Sequence, residues 1–178
     1  MKQRFLELLR STNREGIEDF ILFLEKTDFF TAPASTKFHN SFEGGLLQHS
    51  LNVYDALKKL VGDEWPDETI IIVALLHDVC KINSYKIDYK NKKDDTGTWV
   101  KEPYYTINDT MPLGHGEKSV MMISEFIKLK KEEMYAIRWH MGGFEPKDNY
   151  PYLAKAYEMY PLAVYTSMAD LMATYIIE

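Results

Sequence analysis

The chain has 178 residues, 46% of them hydrophobic and 27% charged, with a formal net charge of −6. That length fits one domain with a full core, and the composition excludes disordered, collagen-like and low-complexity classes. The acidic balance argues against a protein that grips long nucleic acid through a basic patch.

In chain order, Lys2 to Leu9 reads as a short helix. Arg14 to Lys26 follows as a second, with Ile17, Phe20, Ile21 and Leu24 at helical spacing. Phe29 to Phe42, with Pro33 and small polar residues, reads as a long ordered loop. Gly44-Gly45 opens a helix to about Val61 with a broad apolar face. Pro66 suits the first turn of the next helix, to about Val79. There Ile70 to Leu76 is an unbroken run of seven apolar residues, which places the helix in the middle of a bundle. A membrane span needs about 20. With charged Arg4, Glu7 and Arg10 near the start and one cysteine, Cys80, a soluble cytoplasmic protein is expected. Residues 84–106 alternate apolar and charged side chains about a polar turn and predict a β-hairpin. Helices resume over Gly116–Lys128, Lys131–Met141 and Tyr160–Ile177. The expected fold is an all-α bundle with one inserted hairpin. Residues 1–178 form a single domain, in which the helices of 1–28 pack on a metal-binding core of 39–177.

Polar residues set in apolar helices point to chemistry. His49 lies in GGLLQHS, His77-Asp78 in LLHDVCK, His115 in GHGEKS, His140 in IRWHMGG and Asp170 in SMADLMAT. Successive positions are separated by about one helix and one loop, so a bundle brings them to one point. Neutral imidazole and carboxylate are ligands for Mn, Fe, Co, Ni or Zn. Four histidines and two aspartates are too many for one structural zinc and suit two metals sharing a carboxylate. An unpaired buried aspartate is too costly to keep.

The order H…HD…H…H…D, with HD closing an apolar helix, resembles the HD-domain superfamily of metal-dependent phosphohydrolases over roughly His39 to Ala173. The resemblance implies that His49, His77, Asp78 and Asp170 hold a first metal, and that Asp78 bridges to a second held by His115 and His140. The two additional histidines place the chain with the binuclear branch. Its cofactors would be two divalent transition-metal ions (Fe, Mn, Co, Ni or Zn, with Mg admissible). The implied reaction is hydrolysis of a phosphoester or phosphoanhydride, in a nucleotide, by a metal-bridging hydroxide. The same ligands serve di-iron oxygenases of the inositol oxygenase type. The branch also holds 3′–5′ exonucleases and cyclic-dinucleotide phosphodiesterases acting on RNA, DNA or cyclic dinucleotides. A GYP signature is absent, since MGGFEPKDNYP follows His140, and no added nucleic-acid-binding domain fits. A small phosphorylated partner is therefore expected rather than a polymer or a membrane.

Around the ligands, Asp78 and Lys81 are the candidate catalytic pair. His39, Lys81 and Lys118 are candidate substrate-binding residues. Glu117 is a weaker candidate partner for a ligand imidazole, and Arg138 points away from His140. Trp99, Tyr104 and Tyr105 either stack on a base or pack the hairpin. Met121-Met122 fills core.

Overall fold

A computed structural model describes residues 1–178. Eight α-helices and a two-stranded antiparallel hairpin make up the chain. The helices are α1 (Lys2–Ser11), α2 (Ile17–Glu25), α3 (Gly45–Val61), α4 (Asp67–Leu76), α5 (His115–Ser124), α6 (Lys131–Arg138), α7 (Tyr150–Met159) and α8 (Pro161–Met172). The hairpin, β1 (Tyr85–Lys93) with β2 (Trp99–Ile107), lies between α4 and α5. No helix is long and apolar enough to cross a membrane.

The apolar run behaves as its composition demands. Every residue of α4 from Thr69 to Leu76 is buried. Helices α1, α3 and α6 all pack on it, and α8 closes the bundle against α3 and α6. One continuous apolar cluster results, reaching from Phe5 and Phe20 near the amino end to Ala169 and Ala173 near the carboxyl end.

The expected boundaries shift for identifiable reasons. The second helix starts at Ile17 because Gly16 takes a left-handed conformation, φ 83°, where a Cβ would collide with the Phe126 carbonyl. The fourth helix stops at Leu76, and Val79–Lys81 form a separate 3₁₀ turn after His77-Asp78. Helices α5 and α6 are shorter than expected, ending at Ser124 and Arg138. Helix α7 was not expected. Its neighbourhood reads as loop because of Gly142-Gly143, Pro146 and Pro151, yet Pro151 sits in the first turn, where a missing N–H costs nothing. The expected last helix divides into α8 and a π-turn at Ala173–Ile177.

The hairpin pairs Tyr85 with Ile107 through to Lys93 with Trp99 without a bulge. Its turn is held by Asp94, whose Oδ1 accepts from the Thr96 and Thr98 amides, both at 2.9 Å. Most of its side chains are exposed.

One polar knot ties the amino-terminal helices to the bundle. Glu133 on α6 is fully buried and accepts from the Arg14 guanidinium, from Thr69 Oγ1 at 2.9 Å and from the Lys130 amide at 2.8 Å. Arg14, between α1 and α2, also reaches Glu68 on α4 at 2.7 Å. Removing one partner of a buried pair strands the other charge, at about 3–5 kcal/mol. Arg14→Met should therefore lower the melting temperature by ~10 °C in thermal denaturation. Arg4→Met, which breaks the exposed pair with Asp55, should change stability by less than about 1 kcal/mol. Equal losses from the two substitutions would contradict this account.

Candidate metal centre

Two helix ends prepare the site in the same way. The last carbonyls of a helix lack intrahelical donors. At the end of α4, His77 Nδ1 donates to the Ala74 carbonyl at 2.8 Å. After α6, His140 Nδ1 donates to the Ile137 carbonyl at 2.7 Å. A carbonyl only accepts, so each Nδ1 carries a proton, and the neutral form of each ring keeps its lone pair on Nε2. Both rings are fully or almost fully buried, and both Nε2 atoms face Asp78 Oδ atoms, at 3.5 Å and 3.4 Å. His140 Nε2 makes no hydrogen bond, a costly condition for a buried acceptor.

The other ligand candidates converge on the same carboxylate. His115, the first residue of α5, places Nε2 2.7 Å from Asp78 Oδ1. Its helix lies close against the end of α6 because Gly116 meets the Arg138 carbonyl where a Cβ would clash. His49, on α3, places Nε2 3.3 Å from His77 Nε2, 3.6 Å from Asp78 Oδ2 and 3.1 Å from Asp170 Oδ1 on α8. Grouped by ligand-atom proximity, His49, His77 and Asp78 form one buried triad and Asp78, His115 and His140 another, with Asp78 in both. A third group joins His77, His140 and Asp170. All six residues singled out by the motif order are thus brought together. Lone-pair nitrogens and carboxylate oxygens, buried and converging, are what a divalent cation requires, and the residues fit one.

Burial alone pushes the Asp78 carboxyl up, but the Lys81 ammonium and the surrounding imidazoles outweigh it and hold the group well below the usual carboxylate range. Lys81 Nζ lies 2.5 Å from Asp78 Oδ2. Burial pulls that ammonium down, and Asp78 more than restores it. Burial lowers the His49 pKa, but the Asp170 and Glu178 carboxylates raise it to about 9. His115 is likewise lifted to about 9, against burial, by Cys80 and Asp78. Asp170 is held below its ordinary value, its burial outweighed by His49 and the neighbouring imidazoles.

The centre opens into a cavity of about 440 Å³ whose wall includes Asp78, Lys81, His115, Asp170 and His39. His39 stacks beside His49 with ring centroids 4.9 Å apart, and its Nε2 is buried without a partner. A second cavity of about 230 Å³ adjoins it and shares Lys81 and His115. Lys118 lies there, buried, with Nζ donating to Asp109 at 2.6 Å and Ser84 at 3.0 Å. Glu117 contacts no ligand imidazole; it pairs with Arg138 at 2.5 Å, and Arg138 also holds Glu145. Trp99, Tyr104 and Tyr105 line neither of these cavities. Tyr104 and Tyr105 border a separate groove between the hairpin and the loop before α3.

Two neighbours carried no sequence signal. Glu178, the last residue, accepts from His49 Nδ1 at 3.0 Å and from Asn52 at 3.1 Å. Tyr85 opens β1, yet its ring lines the main cavity and its hydroxyl donates to the Ala34 carbonyl at 3.3 Å.

Residues 46–174 match the HD domain family. The chain belongs to the HD domain family. It is also similar to a dihydroneopterin 2′,3′-cyclic phosphate phosphodiesterase of Methanocaldococcus jannaschii, at 31% identity over 105 residues, which cover 54% of this chain and 39% of that protein. The HD chain thus spans about two-fifths of that relative's length. No solved structure matches.

The raised imidazoles set a pH dependence. Unfolded histidine titrates near ~6.5. In the metal-free protein, the stabilisation from protonated His49 and His115 is full below that value and is lost as pH rises through about 9. Cation binding must displace the same protons. Apparent Mn²⁺ affinity should therefore climb between pH 6.5 and 9, by up to about a hundredfold per unit for two protons. Calorimetric titration in buffers of different ionisation enthalpy reads the proton release directly. A flat profile would remove the ligand role from these two histidines.

Proposed function

We propose that this chain is a metal-dependent phosphohydrolase that cleaves a phosphoester or phosphoanhydride, in a nucleotide or a similarly small phosphorylated compound. The observation carrying this reading is the place of buried Asp78 in two converging ligand triads on the wall of an open cavity. On this reading His49, His77, Asp78 and Asp170 hold one divalent ion, and Asp78, His115 and His140 hold a second. Such ions acidify water and offset the charge of a phosphoryl group. Membership of the HD domain family supports the reading, as does the cyclic-phosphate diesterase named for the similar archaeal protein.

The chain's own groups supply the rest. Hydrolysis forms a bond from a water oxygen to phosphorus and breaks the bond to the leaving oxygen. Asp78 holds the ligand set in register, because both of its oxygens face imidazoles. Lys81 uses one of its three N–H donors on Asp78 and offers the others to the cavity, where a phosphoryl oxygen accepts them. His39 brings a nitrogen with no other partner to the same wall. Lys118, fixed by Asp109 and Ser84, presents a second cation in the adjoining cavity for a further substrate oxygen.

The oxygenase alternative would instead consume oxygen with a diol or phosphonate substrate. Phosphate release should be screened over nucleotides, cyclic nucleotides and pyrophosphates with Mn, Fe, Co, Ni and Mg. Asp78→Asn should lose at least ~100-fold in rate together with bound metal. Lys81→Met should keep its metal and lose about 10- to 100-fold, the worth of a charge-assisted hydrogen bond. Full activity in Asp78→Asn would overturn the assignment.

A further inference from the structure

The floor of the main cavity is charged, but its mouth is not. Phe38, Phe144 and Tyr175 line it while remaining 84%, 62% and 69% exposed. They come from three separate segments: the loop before α3, the 3₁₀ turn Gly142–Phe144 after α6, and the π-turn after α8. None of the three belongs to the buried apolar cluster or to the partly buried side chains packed on it. Exposed aromatic surface is costly to leave in water, and contiguous exposed apolar surface marks binding sites. Here three independent turns deliver it to the rim of one cavity, together with Tyr85 inside.

The lining therefore has two chemistries: the charged groups Asp78, Lys81, His115 and Asp170, and the exposed rings of Phe38, Phe144 and Tyr175. The ligand that satisfies both is a phosphate joined to a planar, mostly apolar body. Aromatic faces take such a body by stacking, with a tolerance for ring identity that hydrogen-bond readers lack. The volume of about 440 Å³ lies in the range of small-molecule pockets and admits a mononucleotide-sized molecule.

We propose that Phe38, Phe144 and Tyr175 form a stacking subsite that selects phosphate compounds bearing a planar heteroaromatic ring. The subsite rests on the phosphohydrolase reading for its phosphate end and stands on its own geometry for the ring end. It replaces Trp99, Tyr104 and Tyr105 as the base-stacking set, since those three lie outside the cavity. Because the three side chains project from turns into solvent, replacing them leaves the ligand cluster and core packing in place.

The test uses calorimetric dissociation constants for three probes on the Mn²⁺-loaded protein: adenosine 5′-monophosphate, ribose 5-phosphate and adenosine. The nucleotide should bind about ten- to hundredfold more tightly than ribose 5-phosphate. Phe38→Ala with Phe144→Ala should erase that difference and leave ribose 5-phosphate unchanged, with Tyr175→Ala acting in the same direction. Phe38→Trp, which keeps a stacking face, should retain the preference. Equal binding of nucleotide and sugar phosphate by the unaltered protein would overturn the subsite and leave the phosphohydrolase reading standing. Adenosine binding as tightly as the nucleotide, with no binding of ribose 5-phosphate, would do the reverse. If no probe binds, the subsite falls, and the phosphate-release screen alone decides the phosphohydrolase reading. An alanine variant that weakens both phosphates equally would also overturn the subsite.

Discussion

A buried carboxylate that must be surrounded by cations or donors organises this molecule. Asp78 follows the most apolar helix of the chain and is almost fully inaccessible, so its charge is tolerable only if neighbours compensate it. Lys81, His115 and the imidazoles of His49, His77 and His140 all turn toward it. Four helices and a 3₁₀ turn are thereby fixed relative to one another. Folding energetics and ligand geometry are here one requirement. The apolar run that drives α4 into the middle of the bundle also delivers the charged group that the other helices must satisfy.

The ends of α4 and α6 show how little extra apparatus this takes. Each has orphan carbonyls, and each is capped by a histidine that donates from Nδ1. Capping a helix therefore fixes the tautomer and leaves Nε2 free to ligate. His49 reaches the same result differently, with Glu178 in place of a backbone carbonyl. Against its burial, Asp170 and Glu178 together raise the His49 pKa to about 9.

The pattern of the sequence carried much of this. The convergence of the six His and Asp residues, the central apolar helix and the hairpin were all legible, because each depends on periodicity or on residue types that apolar helices otherwise reject. Side-chain partnerships across space were not. Glu117 was a weak candidate partner for a ligand imidazole, and Arg138, itself paired to Glu145, takes it. Trp99, Tyr104 and Tyr105 left base stacking and hairpin packing both open, and the hairpin's position keeps all three out of the main cavity's lining. Phe38, Phe144 and Tyr175 lie singly in turns, where no local period singles out an aromatic residue. Helix α7 escaped because proline and glycine punctuate both loops and helix starts.

The net charge of −6 takes on a local meaning at this site. In the metal-free protein Asp78 and Asp170 at the polar end of the cavity are offset by Lys81 and protonated His115. Divalent ions that displace the histidine proton would make that end positive. An acidic chain thus repels long polyanions over most of its surface and attracts a single phosphate only where metal is held. Metal loading would then govern substrate capture as well as the chemical step. On the proposed reading, the charged end would take the phosphate and the aromatic rim the body it is attached to. Orientation would follow from this separation, because the rim rings Phe38 and Phe144 bring neither a cation nor a hydrogen-bond donor.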